Sequence, residues 1–169
     1  MKLIEAMKEI KNLKVKAEDL RKKVACFCVK ASFESNMYPD QGAQIQEWIQ
    51  SHTDTVKLIA KLSVGIQKTN IATVVDIELG GKKVSHSISE WILRRRDLAE
   101  LERACWAGMT DKGIKEGMFK QTDGTSSEVK IVRYYDPKVR DEKIELYRSE
   151  PSIIDRTLET VNAVTDLIE

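Results

Sequence analysis

The sequence predicts an α+β protein with a long N-terminal antiparallel helical hairpin, a small antiparallel sheet and two further helices. Apolar residues step by three and four from Leu3 to Phe27, the spacing of a helical seam. The Gly80-Gly81 pair follows a β-branched run that alternates from Val75 to Leu79 and precedes a short return segment, Lys82 to Ser85, which marks a two-residue hairpin turn. Thr69-Asn70-Ile71-Ala72-Thr73 and Val161-Asn162-Ala163-Val164-Thr165 close two helical stretches in the same way. Asn tolerates the left-handed conformation that ends a helix, so Asn70 and Asn162 are read as helix termini, each followed by an extended segment.

At 169 residues, 41% of them hydrophobic, the chain reads as a single domain, with residues 1–70 as the hairpin arm and 71–169 as a mixed α/β head. In the first helix, Leu3, Ala6, Ile10, Leu13, Ala17, Leu20, Val24 and Phe27 form the seam. Ser, Asn, Pro and Gly over 32–42 interrupt it and favour an antiparallel return. A second helix over about 43–69 has a seam at Ile45, Ile49, His52, Val56, Ile59, Ser63 and Ile66. A polar residue at a coiled-coil core position can fix register or oligomeric state, so His52 and Ser63 are candidate pairing determinants; alternatively the seam rotates locally and both meet water.

Strands are expected at 74–79 and 82–85 around the glycine pair. Ser87-Ile88-Ser89-Glu90 has capping-box spacing and starts a third helix that runs to about Gly108. The polar stretch 109–128, with Gly113, Gly117 and Gly124, reads as a flexible loop. Val129 to Tyr135 alternates as a third strand, Asp136-Pro137 opens the last helix, and Pro151 should kink or break that helix, with Ser149 able to cap a new segment. Asp166-Leu167-Ile168 is an extended tail.

The formal charge is +1, from 28 basic and 27 acidic residues, so no global field attracts duplex nucleic acid or an acidic membrane. No apolar run approaches the roughly 20 residues that span a bilayer, and the first residues are already amphipathic, which places the expected location in the cytoplasm. Cys26 and Cys28 would lie roughly 200° apart on a helix, unsuited to a shared disulfide or metal. With Cys105 they are expected to be small buried thiols. No phosphate-loop, nucleophile-elbow or His-rich metal motif is present. The chain is therefore read as a non-enzyme with no cofactor and no metal.

Candidate binding groups cluster twice. Arg94-Arg95-Arg96 sits on the third helix, where consecutive residues are about 100° apart, so only one or two of the arginines can face a common ligand. Trp91, one turn earlier, offers a stacking surface, and His86 lies just outside the helix start, whose free N–H groups favour phosphate. A core tryptophan and a solvated charged face are the plainer explanations. The second cluster, Lys130-Ile131-Val132-Arg133-Tyr134-Tyr135, could present cationic and aromatic groups to a ligand or form an amphipathic edge.

The opening Met1-Lys2-Leu3-Ile4-Glu5-Ala6, the Thr69-Asn70 helix end, the Gly80-Gly81 turn before a Ser-capped helix with Arg96-Asp97, and the ending Asn162-x-x-Thr165-Asp166-Leu167-Ile168 together resemble a bacterial family described as septicolysin-like, nearly end to end. The length, helical hairpin and small strand-containing head also resemble the phage anti-Thoeris sponge proteins, which sequester nucleotide-derived immune signals and assemble as oligomers. This second resemblance implies a homo-oligomer, dimer or higher, that holds a cyclic nucleotide or cyclic ADP-ribose type ligand in the host bacterial cytoplasm. It also implies Asn70, Arg94, Arg96, Arg133 and Tyr134 as ligand contacts. An assembly protein without a small ligand, its arginines forming intersubunit ion pairs, is the contrasting expectation.

Overall fold

Helix α1, Leu3–Phe27, forms where the apolar period predicts it. The N–H of Lys2 donates to Glu5 Oε2 at 2.8 Å, which supplies one half of a capping box at the helix start. Leu3, Ala6, Leu13 and Leu20 are buried, and Ile10, Ala17, Val24 and Phe27 are half-buried. The whole predicted seam is thus withdrawn from water. The fold is that of a computed structural model, which describes residues 1–168.

Helix α2, Gln41–Ala72, is capped by Asp40, whose Oδ1 accepts the N–H of Ala43 at 2.9 Å. At the closed end of the α1–α2 hairpin, Phe27, Tyr38 and Trp48 form an aromatic triangle with centroids 5.3 to 5.7 Å apart. Two of the three contacts are edge-on or nearly so, as the ring quadrupoles favour. The buried row of α2 is Trp48, Thr55, Leu62 and Thr69, with Gly65 beside it. This corrects the expected seam: Ile45, His52, Ile59 and Ile66 are half-buried at its border, while Ile49 and Val56 remain 42% and 47% exposed. The reason is that two threonines occupy the row. Thr55 and Thr69 hydroxyls donate to the carbonyls of Ser51 and Gly65 at 2.7 and 2.8 Å, so each buries its methyl at no unpaired polar cost. Ser63 likewise donates to Ile59 O at 2.7 Å.

Asn70 and Asn162 do not end their helices. α2 continues to Ala72, and the last helix, α5 (Pro137–Val164), continues to Val164. Among the described non-glycine residues only Lys112 has positive φ, so neither Asn is left-handed. In both places a threonine makes the exit. The N–H of Thr73 donates to Thr69 O and that of Thr165 to Val161 O, both at 2.9 Å. Each carbonyl then accepts the first N–H of another helix: Thr73 O from Ile88 at 3.0 Å, Thr165 O from Leu3 at 2.9 Å. A β-branched residue suits an extended exit, and because the chain goes straight into an extended segment no left-handed reversal is needed.

Strands β1 (Val74–Leu79) and β2 (Lys82–Ser87) pair as a two-stranded antiparallel sheet. Gly80 and Gly81 have φ of +57° and +76°, the two left-handed positions that a primed hairpin turn needs. Val75 and Ile77 point inward while their neighbours are exposed. Next comes a helical run in three parts: α3 (Ile88–Leu93), a π-helical turn (Arg94–Leu98) and α4 (Ala99–Ala107).

The expected loop over 109–128 contains a second hairpin, β3 (Gly117–Lys120) and β4 (Ser126–Val129), with Met118 opposite Glu128 and Phe119 opposite Ser127. Residues 130–135, expected as strand, are not one. The turn decides the register: Asp123 accepts the N–H and hydroxyl of Thr125 at 3.0 and 2.6 Å, and Gly124 takes a φ of +85°. The strands therefore flank 121–125 directly. In α5, Asp136 Oδ1 caps Lys138 N at 2.8 Å, and Pro151 does not break the helix. Ser149, expected to start a new segment, donates back to Leu146 O at 2.8 Å. The proline removes one backbone bond, and burial of Ile154 and Leu158 on the same helix offsets it.

The chain divides into two compact units, one formed by Met1–Val75, Ser87–Ser89 and the stretch from Leu158 onward, the other by Asp76–His86 and Glu90–Thr157. In the first unit the tail is tied down: Lys2 and Asp166 form an antiparallel bridge, Leu167 N donates to Met1 O, and Ile168 N donates to Thr69 Oγ1, the last two at 2.8 Å. No helix of the described residues is long and apolar enough to cross a membrane.

Candidate functional site

The arginine cluster falls on the π-helical turn, whose extra residue per turn resets the phase of the side chains. Arg94 turns toward α5. Its Nε and Nη2 donate to the two carboxylate oxygens of Glu150 at 2.8 and 3.2 Å, a forked pair. Glu150 is 3% exposed, and its carboxylate holds the Arg94 guanidinium above the ordinary range. The Tyr147 ring lies 5.6 Å from the same guanidinium, and burial raises the pKa of Tyr147. Arg95 pairs with Asp155 at 2.5 Å. Arg96 faces solvent and bonds its neighbour Asp97 at 2.7 Å.

Trp91 is fully buried. Its indole meets His86 in a T-shaped contact at 4.8 Å, and His86 Nδ1 stands 3.9 Å from Glu90. The ring is therefore a core side chain covered by histidine, with no face left for a stacking ligand. Asn70 is half-buried in the last turn of α2, in the other compact unit.

Arg133 and Tyr134 come together in a cleft of about 400 Å³ formed by 108–114 and 131–135. Arg133 Nε and Nη2 each donate to Asp111 at 2.7 Å. This bond lowers the pKa of Asp111 and raises that of Arg133. Behind the pair, the Arg140 guanidinium lies 5.6 Å from the Tyr135 ring and donates to Met109 O at 3.0 Å. Lys112 and Gly113, at φ of +53° and +74°, turn the chain tightly enough for Ile114 N to reach Asp111 O at 2.9 Å. Tyr134 is 97% exposed at the cleft's edge. An exposed ring beside a forked cation is a surface on which a planar anionic group could rest, once Asp111 yields the guanidinium.

The predicted residues are thus spread over three settings: Asn70 on α2, His86 at the end of β2 with Trp91 and the arginines on the helical run that follows, and Arg133 with Tyr134 in the cleft. Sequence reasoning missed Glu150, Asp155 and Asp111. Glu150 lies 56 positions from Arg94 and Asp111 lies 22 from Arg133, so no local pattern marks them. The cysteines are corrected too: Cys26, Cys28 and Cys105 are all exposed free thiols. Cys28, the C-cap of α1, donates from its thiol to Ala25 O. Among the described residues no three His, Cys, Asp or Glu side chains gather as a metal site.

No family model matches the chain, and no curated protein matches it. A crystal structure described as that of a functionally unknown conserved protein from Corynebacterium diphtheriae is similar over 99% of both chains, with a TM-score of 0.58 at 18% identity. That likeness is one of fold. It bears on neither the septicolysin-like nor the sponge resemblance.

Proposed function

We propose that the protein is a non-catalytic cytoplasmic homo-oligomer that works by association, with its arginines serving its architecture. The observation that supports this is the arc of α2. Trp48, Thr55, Leu62 and Thr69 are buried, but the apolar surface extends past Ile45, Ile59 and Ile66 to Ile49 and Val56, which stay open to water. An apolar stripe wider than its intramolecular partner covers favours a second helix from another copy. The contrasting sequence expectation placed arginines between subunits; Arg94, Arg95 and Arg133 instead have carboxylate partners in their own chain. Sedimentation equilibrium tests the proposal. The wild type should sediment as a dimer or larger at micromolar protein, and Ile49→Lys with Val56→Lys should give a folded 19.3 kDa monomer. A wild type that is monomeric at every concentration overturns it.

A second reading, sequestration of a nucleotide-derived signal of the cyclic nucleotide or cyclic ADP-ribose type as in a phage anti-defence sponge, rests on the Arg133 and Tyr134 cleft. Phosphate would replace Asp111 on Arg133 while the base covers Tyr134. Calorimetric titration with cyclic dinucleotides, cyclic trinucleotides and cyclic ADP-ribose isomers tests it: saturable binding lost in Arg133→Ala supports it, and no binding across the panel removes it.

A further inference from the structure

The outer edge of β3 is unpaired. Its sheet has two strands among the described residues, and every residue of β3 is exposed, Met118 at 68% and Phe119 at 49%. A lone two-stranded hairpin is marginal in water, and further strands are what steady it.

The turn fixes which backbone groups that edge offers. Gln121 N donates to Thr125 O at 2.7 Å and Gly124 N to Gln121 O at 3.0 Å, so 121 and 125 close the hairpin as a bonded pair. Antiparallel ladders alternate bonded and non-bonded pairs. With Phe119 opposite Ser127 and Gly117 opposite Val129, those two residues of β3 bond inward to β4, and Met118 and Lys120 turn their N–H and C=O groups outward. The side chains divide likewise: Met118 and Lys120 share one face, Gly117 and Phe119 the other.

Such an edge is complementary to itself. With Met118 opposite Lys120 of a second copy, and Lys120 opposite its Met118, every outward group of the strand pairs, in four hydrogen bonds about a two-fold axis at Phe119. The two phenylalanines then face each other at a non-bonded pair, where side chains stand closest and aromatic rings gain from contact. Gly117 lies diagonal to the opposite ring and leaves it room. An axis at Lys120 would set lysine against lysine and make two bonds within the strand, and an axis at Met118 would also make only two, so Phe119 is the favoured centre.

We propose that β3 pairs antiparallel with β3 of a second copy about a two-fold axis at Phe119, giving a four-stranded sheet. The occupant is this same chain because donors, acceptors and the aromatic ring match in one register, in which the one charge of the strand meets a methionine. Four residues a side are far fewer than the roughly 20 of a standard interface, so the contact is weak by itself and forms toward millimolar protein. It is separate from the α2 stripe, and together the two contacts would join dimers into a larger assembly.

Amide hydrogen exchange by NMR tests this on the full chain, in the wild type and in the Ile49→Lys, Val56→Lys variant, from micromolar to millimolar protein. In both, the Met118 and Lys120 amides should exchange freely when dilute and slow at least twofold when concentrated. The Glu128 amide, which points to the other edge of the hairpin, should not slow. Lys120→Pro deletes one outward donor in a conformation that an edge strand accepts, and should abolish the concentration dependence at Met118 while the inward bond of Phe119 persists. A disulfide trap reads the register independently of that variant. In a chain with Cys26, Cys28 and Cys105 changed to serine, Phe119→Cys should give a linked dimer with diamide, because Cα atoms across a non-bonded pair lie about 4.5 Å apart, within disulfide reach. Lys120→Cys in the same chain should not. Slowing absent from either protein, equal slowing at Glu128, or trapping of Lys120→Cys as efficient as that of Phe119→Cys overturns the proposal, whereas failure of the α2 stripe alone leaves the slowing at Met118 and Lys120 intact.

Discussion

Arg94 donates two hydrogen bonds to Glu150 across 56 positions of sequence, and Glu150 is 3% exposed while the Arg94 side chain keeps 23%. The pair joins the π-helical turn to α5 just before Pro151. Removing the arginine leaves a buried carboxylate without its cation, which is costlier than losing the pair as a whole. Arg94→Ala should therefore destabilise by about 3 kcal/mol, the low end for breaking a buried pair because Arg94 retains some solvent. The double variant Arg94→Met with Glu150→Leu should recover most of that loss. Urea denaturation of the three proteins checks it; equal losses in the single and double variants would show that packing, and not the orphaned charge, sets the cost.

Gly65 should tolerate no side chain. Alanine is the better helix former by about 1 kcal/mol, yet its Cβ would press on the Ile168 carbonyl and on Leu167 at 2.9 and 3.3 Å. The tail, an extended segment held by two backbone N–H bonds where α2 has a full helical ladder, should move. Gly65→Ala is expected to expose the amides of Leu167 and Ile168 to hydrogen exchange while leaving those of mid-α2 protected. Unchanged tail protection would contradict the contact.

Acid should loosen the segment around the Arg133 cleft. The hydrogen bond from Arg133 lowers the pKa of Asp111 relative to an unperturbed aspartate at about 3.9. The unfolded chain thus binds this proton more readily, so the stabilisation is fully present above about pH 4 to 5 and is lost as pH falls through the folded value. Exchange of the Ile114 amide, which bonds to the Asp111 carbonyl, should accelerate over that window beyond the intrinsic chemical rate. Asp111→Asn should flatten the response.

Much of the fold was legible because periodicity survives any tertiary context that agrees with it. Every seam residue predicted in α1 is buried or half-buried. In α2 the expected seam fell on the border of the buried row and, at Ile49 and Val56, beyond it, because Thr55 and Thr69 are polar by composition and apolar in effect once their hydroxyls bond the preceding turn. Asn70 and Asn162 were misread for a related reason: propensity flagged the residue most able to reverse the chain, where the chain in fact leaves straight through Thr73 and Thr165. The hairpin at 117–129 was hidden because β3 is exposed throughout and shows no alternation. Of the site, the arginines were legible as residues but their roles were not, since their carboxylate partners lie far along the chain.

The two buried threonines of α2 provide the sharpest contrast, because they share a row and a helical environment but not a partner. Thr55 is 4% exposed, and its hydroxyl donates to Ser51 O, a carbonyl of its own helix. Thr69 is fully buried; its hydroxyl donates to Gly65 O and also accepts the N–H of Ile168 from the tail. Valine has nearly the shape of threonine and lacks the hydroxyl. At position 55 the exchange removes a buried polar group together with a redundant bond, so Thr55→Val should be neutral or slightly stabilising, within about 1 kcal/mol. At position 69 it strands a part-buried N–H, for which the cost is about 1 to 3 kcal/mol. Thr69→Val should lower the melting temperature and release the amide of Ile168 to exchange, and Thr55→Val should do neither. Equal melting shifts in the two variants would mean that the tail draws no stability from its bond to α2.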